Sequence, residues 1–261
     1  MTIFNERIKV FFIVILSLLI PVNLNGKTLE TKPDNYDRIY LGTAFVSLLS
    51  LHYLRMYVGP ENPHIINPLG IDVSARNSLL WQNSTQTASF LSDLGVVSLV
   101  SGAFWIPALT NMPYYNGFHI IAESAIYSGL LAQLVKILTG RQRPYSYYKT
   151  RESNDVDKNY SFFSGHTSIA FAAATSGGLL LSEKYSQYKI PIFLSGYVIA
   201  ALCGYLRIAS DSHYLSDVLT GAVIGTSIGY GIYQLRKSWI SAHTSSNENE
   251  KTFSLSKKIS F

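Results

Sequence analysis

The chain has 261 residues and a formal net charge of +5, and only 14% of its residues are charged against 48% that are hydrophobic. An ordinary soluble domain has about 25% charged residues, so this composition lies between soluble and membrane proteins and excludes a disordered or collagen-like chain. The basic residues are scattered among apolar segments and form no run, which argues against nucleic-acid binding.

The first 26 residues have the pattern of an export signal. Arg7 and Lys9 precede the apolar run 10–20, and a polar stretch ends at Gly26. A basic start, a short apolar core and a polar exit are typical of a secretory signal peptide. The cleavage site is poor, so residues 1–26 are predicted to be either a signal peptide or an uncleaved N-terminal anchor. Both place the following segment across a membrane, because the positive flank stays in the cytoplasm.

Residues 27–87 are predicted to be a linker and an interfacial segment. Residues 27–38 are polar, 39–57 are apolar but contain one His and one Arg, and 58–87 carry several Pro and Asn residues typical of loops and short helices. We expect 39–57 to lie in the membrane interface or to pack against the bundle, since a further crossing would reverse the sides of all later segments.

Long apolar segments with few charges make up most of the remaining chain, at 94–109, 118–135, 167–182, 190–206 and 218–235. A helix of about 17 residues spans roughly 26 Å, which approaches the 30 Å hydrocarbon core of a bilayer. Their many Gly, Ala and Ser residues permit close helix approach. The sequence therefore predicts an all-α, membrane-embedded bundle of about five to six apolar helices. Its core would be 88–238, followed by a polar, disordered tail at 239–261.

Three cations lie at the ends of these apolar segments. Lys136 and Arg143 are seven residues apart, which places them on one face if the helix persists, and Arg207 ends another apolar run. No carboxylate cluster in the sequence neutralises them. Phosphate would, because Arg binds its oxygens bidentately and Lys acts as a point charge. The alternative is that they are ordinary interfacial anchors.

The segment Ser164-Gly165-His166 opens the next apolar run, with a helix predicted to begin near Thr167. A helix N-terminus offers unpaired N–H groups and partial positive charge, which together bind anions. The hydroxyl of Ser164 would add a donor, and Gly165 allows close approach of the backbone. A simple turn with a helix cap explains the same residues.

His213 and Asp217 are four residues apart, hence on one face of a helix. Asp217 would fix the tautomer of the imidazole and leave its other nitrogen free as a nucleophile. Three cations, two histidines and one carboxylate are the groups needed for phosphoryl transfer through a phosphohistidine without a metal. No P-loop motif is present, which excludes that class of nucleotidase.

Together the three segments resemble the signature of the type 2 phosphatidic acid phosphatase (PAP2) superfamily, which also holds bacterial class A acid phosphatases and vanadium haloperoxidases. That signature is K-x6-RP, then PSGH, then SR-x5-H-x3-D. The match to the first element is complete, from Lys136 to Pro144. Phe163 replaces the proline of the second element, and Leu206 replaces the serine of the third.

This resemblance implies roles for individual residues. His213 would be the nucleophile, Asp217 would orient it, and His166 would protonate the leaving oxygen and then activate water. The phosphoryl oxygens would be held by a second set of residues, namely Lys136, Arg143, Arg207, Ser164 and Gly165. No cofactor or metal is implied. The two departures remove a rigid turn residue and one hydroxyl but leave every charged position intact.

The resulting expectation is a metal-independent phosphatase that acts on a phosphomonoester or pyrophosphate of a membrane lipid. We expect it in a bacterial-type cell membrane with the active site facing the periplasm, because Lys184 and Lys189 mark the opposite side as cytoplasmic. Alternatives are an exported soluble acid phosphatase, a vanadate-dependent haloperoxidase, and a membrane structural or transport protein with a vestigial motif. The identity of the lipid and the oligomeric state are not specified by the sequence.

Overall fold

The computed structural model describes residues 35–58, 63–64, 67–151 and 155–259. The predicted signal peptide or anchor at 1–26 lies outside the described residues. Over the described part the chain is helical, with short 3-10 turns at Pro107–Leu109 and Ser186–Tyr188. The α-helices are, in chain order, α1 (Asn35–Val58), α2 (Gly70–Leu79), α3 (Thr85–Trp105), α4 (Tyr114–Thr139), α5 (Pro144–Tyr147), α6 (Gly165–Lys184), α7 (Lys189–Ala209) and α8 (Leu215–Ile259).

Among the described residues, four helices are long and apolar enough to cross a bilayer: α3, α4, α7 with the turn before it, and α8 as far as Ser241. Their outer faces are apolar. On α7 the same face repeats every four residues with side chains between 49% and 80% exposed, namely Ile190, Leu194, Val198 and Leu202. A continuous exposed apolar stripe of this kind suits contact with lipid. The prediction of an all-α membrane bundle is confirmed.

Helix α6 is the buried centre of the bundle and contacts α3, α4, α7 and α8. It consists mainly of Ala, Ser, Thr and Gly, and most of these residues are buried. Since α6 touches other helices rather than lipid, small and weakly polar residues suffice on its surface. This explains why α6 is not among the four described helices with membrane-type hydropathy.

Helix α8 lies directly against the backbone of α6 through glycines spaced four residues apart. A Cβ atom at Gly221 would lie 2.7 Å from the carbonyl oxygen of Ser164, and one at Gly225 would overlap the carbonyl oxygen of Ser168. Gly229 makes the same approach one turn further on. The small residues predicted to allow close helix contact therefore do so at this crossing.

The motif segments meet at one end of the bundle, where α4 and α7 end and α6 and α8 begin. The N–H of Ser164 donates to the carbonyl of Asp217 at 3.1 Å, and the N–H of His213 donates to the carbonyl of Arg207 at 3.2 Å. The hydroxyl of Thr139, at the end of α4, donates to the carbonyl of Phe162 at 3.2 Å. The bonds of Ser164 and Thr139 tie the three segments to one another, and the bond of His213 closes the loop within the third segment.

Helix α1 packs along α4. Ala44 and Leu51 form a buried cluster with Leu130, Ile137 and Tyr160. Its apolar stretch, Leu41–Tyr53, is shorter than the four helices named above. The segment expected to lie in the interface or against the bundle is thus packed against the bundle.

Helix α8 continues to Ile259, past the end of its apolar run. The sequence predicted a disordered tail from residue 239, and the structure differs from that prediction. Residues 239–261 contain neither Gly nor Pro, so the sequence offers no residue that would interrupt the helix there.

Candidate active site

Lys136 and Arg143 come from the end of α4 but not from one continuous helix. The helix ends at Thr139, and Gly140 adopts the left-handed conformation, with φ 53°, that suits glycine at a helix C-terminus. Arg143 lies beyond this turn, where its N–H donates to the carbonyl of Lys158 at 2.7 Å. The continuous helix that a shared face would require therefore does not persist, but both side chains are buried at the motif end of the bundle.

Ser164 caps helix α6. Its hydroxyl oxygen accepts hydrogen bonds from the Thr167 N–H at 3.4 Å and from the Thr167 hydroxyl at 2.9 Å. Because Ser164 is the acceptor in both bonds, its own hydroxyl hydrogen stays available for donation. A Cβ atom at Gly165 would lie 3.8 Å from Nζ of Lys136, so the second motif adjoins the cation of the first.

His213 lies in the short loop between α7 and α8, two residues before α8 begins, so it does not share a helix with Asp217 as the spacing predicted. Its Nδ1 is 3.6 Å from Oδ2 of Asp217, longer than a hydrogen bond. The imidazole is buried, and neither of its nitrogens has a hydrogen-bond partner among the described residues. The same holds for the buried Nε atoms of Arg143 and Arg207.

The pKa of His213 is lowered well below its ordinary value of 6.5. Burial is the largest cause, followed by the positive charges of Arg143, Lys136 and Arg207, with a smaller effect of His166. Residues from all three sequence motifs are thus close enough to act on His213, and their cations make its surroundings electropositive. His213 is held neutral there, with a lone pair on one ring nitrogen.

Asp217 is held by residues that sequence reasoning missed. Its Oδ1 accepts from the Arg141 guanidinium at 2.5 Å, and its Oδ2 accepts from the hydroxyl of Ser161 at 2.5 Å and the N–H of Tyr214 at 3.0 Å. Arg141 also binds Oδ2 of Asp72, on α2, at 2.7 Å. Arg141 lies inside the K-x6-RP spacing, at a position the pattern leaves open.

The loop before His213 is fixed by the segment 58–87, in which the sequence showed no motif. Asp211 has a φ of 58°, a conformation that Asp tolerates better than most residues. Arg76 of α2 donates to its two carboxylate oxygens at 2.6 and 2.9 Å, and the hydroxyl of Thr150 donates to it at 2.5 Å. The i,i+4 spacing of Asp72 and Arg76 was the available sequence signal for this support.

A second carboxylate contacts the other motif histidine. Oδ1 of Asp93, on α3, is 2.9 Å from Nε2 of His166 and 3.4 Å from the guanidinium of Arg207. Asp93 is the only charged residue of α3. The two departures from the signature, Phe163 and Leu206, directly precede the motif residues Ser164 and Arg207 in the chain. Phe163 is fully buried beside the capping serine.

Several known proteins are similar to this chain. The PAP2 superfamily model matches residues 117–241. A lipid A 1-phosphatase of Porphyromonas gingivalis is 35% identical over 85 residues, covering 33% of this chain and 18% of that protein. Lipid phosphate phosphatase 1 of Arabidopsis thaliana is 28% identical over 136 residues, 42% of each chain. The chain thus spans less than half the length of these two relatives.

The fold has a solved counterpart. The crystal structure of a transmembrane PAP2-type phosphatidylglycerolphosphate phosphatase from Bacillus subtilis superposes with a TM-score of 0.51 at 17% identity, covering 76% of this chain and 96% of that one. The matched segment 117–241 includes all three motifs and the helices that carry them. Through that segment, which is just under half of the chain, the protein is similar to the PAP2 superfamily.

Proposed function

We propose that this protein is a membrane phosphatase that removes phosphate from a phosphomonoester or pyrophosphate of a membrane lipid, through a phosphohistidine and without a metal. The observation that carries the proposal is the neutral, buried His213 with unpartnered ring nitrogens amid Lys136, Arg143 and Arg207. A tetrahedral phosphate would satisfy the buried guanidinium donors and bring phosphorus to the imidazole.

In the first step a lone pair of His213 attacks phosphorus while the bond to the leaving oxygen breaks. The three cations, the Ser164 hydroxyl and the N–H of Gly165 hold the phosphoryl oxygens as charge redistributes, which supplies most of the catalysis in phosphoryl transfer. His166 gives a proton to the leaving oxygen and then takes one from the water that hydrolyses the phosphohistidine. Asp217, fixed by Arg141 and Ser161, faces His213 and stabilises its positive charge.

A lipid substrate is supported by the position of the site at the end of membrane-length helices and by the names of the relatives, two of them lipid phosphatases. The alternative of an exported soluble acid phosphatase conflicts with the exposed apolar stripe on α7. Alkaline carbonate extraction separates the two: we expect the protein to remain in the membrane pellet, and its release would favour the soluble enzyme.

We further propose that the site faces the periplasm of a bacterial-type cell. The opposite end of the bundle carries Lys184, Lys189, Arg236 and Lys237, near the ends of α6, α7 and the apolar part of α8. Cytoplasmic loops have an excess of Lys and Arg, so this end is the cytoplasmic one.

Phosphate release from phosphatidic acid, phosphatidylglycerol phosphate, a lipid A phosphate and a polyprenyl pyrophosphate, each with a chelator present, tests the proposal. We expect activity on at least one lipid, undiminished by chelation. His213→Ala should lower it about 10⁴-fold or more, as loss of a nucleophile does. The exposed His52 on α1 provides the control, His52→Ala, with activity like the wild type.

Brief incubation with substrate carrying radiolabelled phosphate should label the protein through an acid-labile, alkali-stable bond. His166→Ala should retain more label than the wild type because water is no longer activated. Activity that survives in His213→Ala, or that disappears with the chelator and returns with a divalent metal, would refute the proposed mechanism.

A further inference from the structure

Three observations single out Asp93 on α3. It is the single charged residue of the membrane-length helix α3, and an ionisable side chain inside such a helix is costly unless it has a functional partner. Its carboxylate contacts His166 and Arg207. It also lies outside the segment 117–241 matched by the superfamily model, so that match assigns it no role.

The contact with His166 is better formed than the contact with Arg207. The distance from Oδ1 to Nε2 of His166 is 2.9 Å, a good hydrogen bond, whereas the distance to the Arg207 guanidinium is 3.4 Å. The side chains of Asp93 and His166 are 52% and 37% exposed, while that of Arg207 is only 8% exposed. The carboxylate and imidazole therefore form a pair on the open side of the buried cations.

Charges from several elements face His166. Arg207 from α7 and Lys136 from α4 oppose a positive charge on the ring, and His213 lies beside it in the loop before α8. Asp93 from α3 is the carboxylate in contact with the ring. It is placed to balance the cations at the moment when His166 must carry a proton.

We propose that Asp93 is a positioning residue for proton transfer by His166, so that the site contains two histidine–carboxylate pairs, one at each histidine. Asp93 accepts the Nε2 hydrogen, which fixes the orientation and tautomer of the ring and leaves Nδ1 as the atom that exchanges protons. This inference rests on the proposed function and adds a residue to it.

When His213 forms its bond to phosphorus and the bond to the leaving oxygen breaks, the Nδ1 proton of the His166 imidazolium passes to that oxygen. When water attacks phosphorus and the phosphorus–nitrogen bond breaks, Nδ1 takes a proton from the water, and His166 is again an imidazolium. Asp93 stays ionised and paired with Nε2 throughout.

The leaving group provides the test, because an alkoxide must be protonated as it departs whereas a dinitrophenolate need not be. The value of kcat/KM is measured for a lipid phosphomonoester and for 2,4-dinitrophenyl phosphate, since it reports the steps up to formation of the phosphohistidine. Asp93→Asn keeps the size of the side chain and removes its charge. We expect kcat/KM to fall about 10²-fold on the lipid, within the range typical of general acid catalysis, and only a few-fold on the aryl ester.

Further variants test whether Asp93 acts through His166. His166→Ala should show the same dependence on leaving group, and adding Asp93→Asn to it should cause little further loss on the lipid, because the two residues act as one unit. Ser89→Ala is the matched control on α3. The Ser89 hydroxyl accepts from Arg207 at 3.1 Å but has no described bond to His166. Any loss in Ser89→Ala should be equal for the two substrates.

Two results would overturn the inference. An equal loss on both substrates in Asp93→Asn would mean that Asp93 acts through Arg207 or through folding. Unchanged kcat/KM on the lipid with tighter inhibition by vanadate would mean that Asp93 only competes with phosphate for the cations. The proposed function itself would fail if the wild type released phosphate from neither compound, or if His213→Ala were as active as the wild type. These two results do not depend on residue 93, so they are distinguishable from a failure of the inference about Asp93.

Discussion

A single side chain, His213, shows how the site combines burial with charge. Burial and three neighbouring cations both disfavour its protonated form, so the lowering of its pKa from 6.5 has two causes of the same sign. A neutral imidazole is the nucleophilic form. The arrangement therefore keeps the proposed nucleophile unprotonated at pH values where a free histidine would be largely protonated.

This environment predicts the pH dependence. A lowered pKa means that His213 takes up a proton only well below pH 6.5, so the fall in kcat/KM caused by its protonation lies in that acidic range. Arg143→Gln removes one of the cations and so raises the pKa of His213. We expect a slower enzyme whose acid limb is displaced towards higher pH. The displacement would be seen by measuring kcat/KM of the wild type and of Arg143→Gln on one substrate from about pH 4 to 8. An acid limb displaced towards lower pH in Arg143→Gln would contradict the proposed effect of Arg143 on the pKa of His213.

Arg141 provides a prediction about stability. It bridges Asp72 and Asp217, both with side chains 0% exposed, so Arg141→Gln leaves two buried carboxylates without their counterion. Breaking a buried ion pair by removing one partner costs about 3–5 kcal/mol. Denaturation of the purified protein in detergent should show a loss of that size.

The double variant with Asp72→Asn is the control for this prediction. Because one of the two carboxylates is then also neutralised, the combined loss should be smaller than the sum of the two single losses. Strict additivity would mean that Arg141 and Asp72 act independently, against the 2.7 Å contact between them.

At the scale of elements, the crossing of α6 and α8 sets the geometry of the site. The glycines of α8 lie against carbonyl oxygens of α6, and the same contact aligns the N-terminus of α6, with its capping Ser164, against Asp217 of α8. A small sideways displacement of α8 would therefore move the carboxylate relative to the phosphate-binding turn. Packing between two helices decides the distance between two motifs.

Gly225→Ala tests this crossing. The added methyl would overlap the backbone carbonyl of Ser168, which cannot rotate away, so we expect a loss of about 1–3 kcal/mol in stability together with reduced kcat. The matched control is Gly231→Ala on the same helix. No atom lies within 4 Å of a Cβ atom there, so higher helix propensity should leave that variant as stable as the wild type or slightly more so. Equal behaviour of the two variants would rule out the close contact.

The whole molecule carries positive charge at both ends of the bundle. The motif end carries the electropositive site, and the other end carries lysines and arginines together with the buried ion pair of Glu123 and Arg236, which joins α4 to α8. An anionic headgroup would reach the site from the motif side of the bilayer. The proposed orientation rests on the lysines at the end opposite the motifs, Lys184, Lys189 and Lys237.

Cysteine labelling tests the orientation on intact cells. Lys149 lies in an exposed loop at the motif end and Gln187 in an exposed turn at the other end. With a membrane-impermeant maleimide, we expect Lys149→Cys to react in intact cells and Gln187→Cys only after permeabilisation. The native Cys203 is 1% exposed and should stay unlabelled in the unsubstituted protein, which is the control. The reverse pattern would place the site in the cytoplasm.

The sequence by itself determined the features that depend on short stretches of chain. Apolar segments 118–135 and 190–206 became α4 and α7 because helix formation and lipid exposure follow local composition. The motif residues could be named because fixed spacings such as that of Lys136 and Arg143 are visible in one dimension. Helix ends were less certain, since the left-handed turn at Gly140 interrupted a face that the spacing had implied.

Only the tertiary structure decided which distant residues support the motifs. Asp72 and Arg141 are 69 residues apart, and Asp93 precedes His166 by a similar distance along the chain, yet each pair is in contact. Such pairing depends on the angle and register at which helices cross. Those are fixed by the close contact of α6 with α8 and by the docking of α2 onto the motif loops, and no local pattern encodes them.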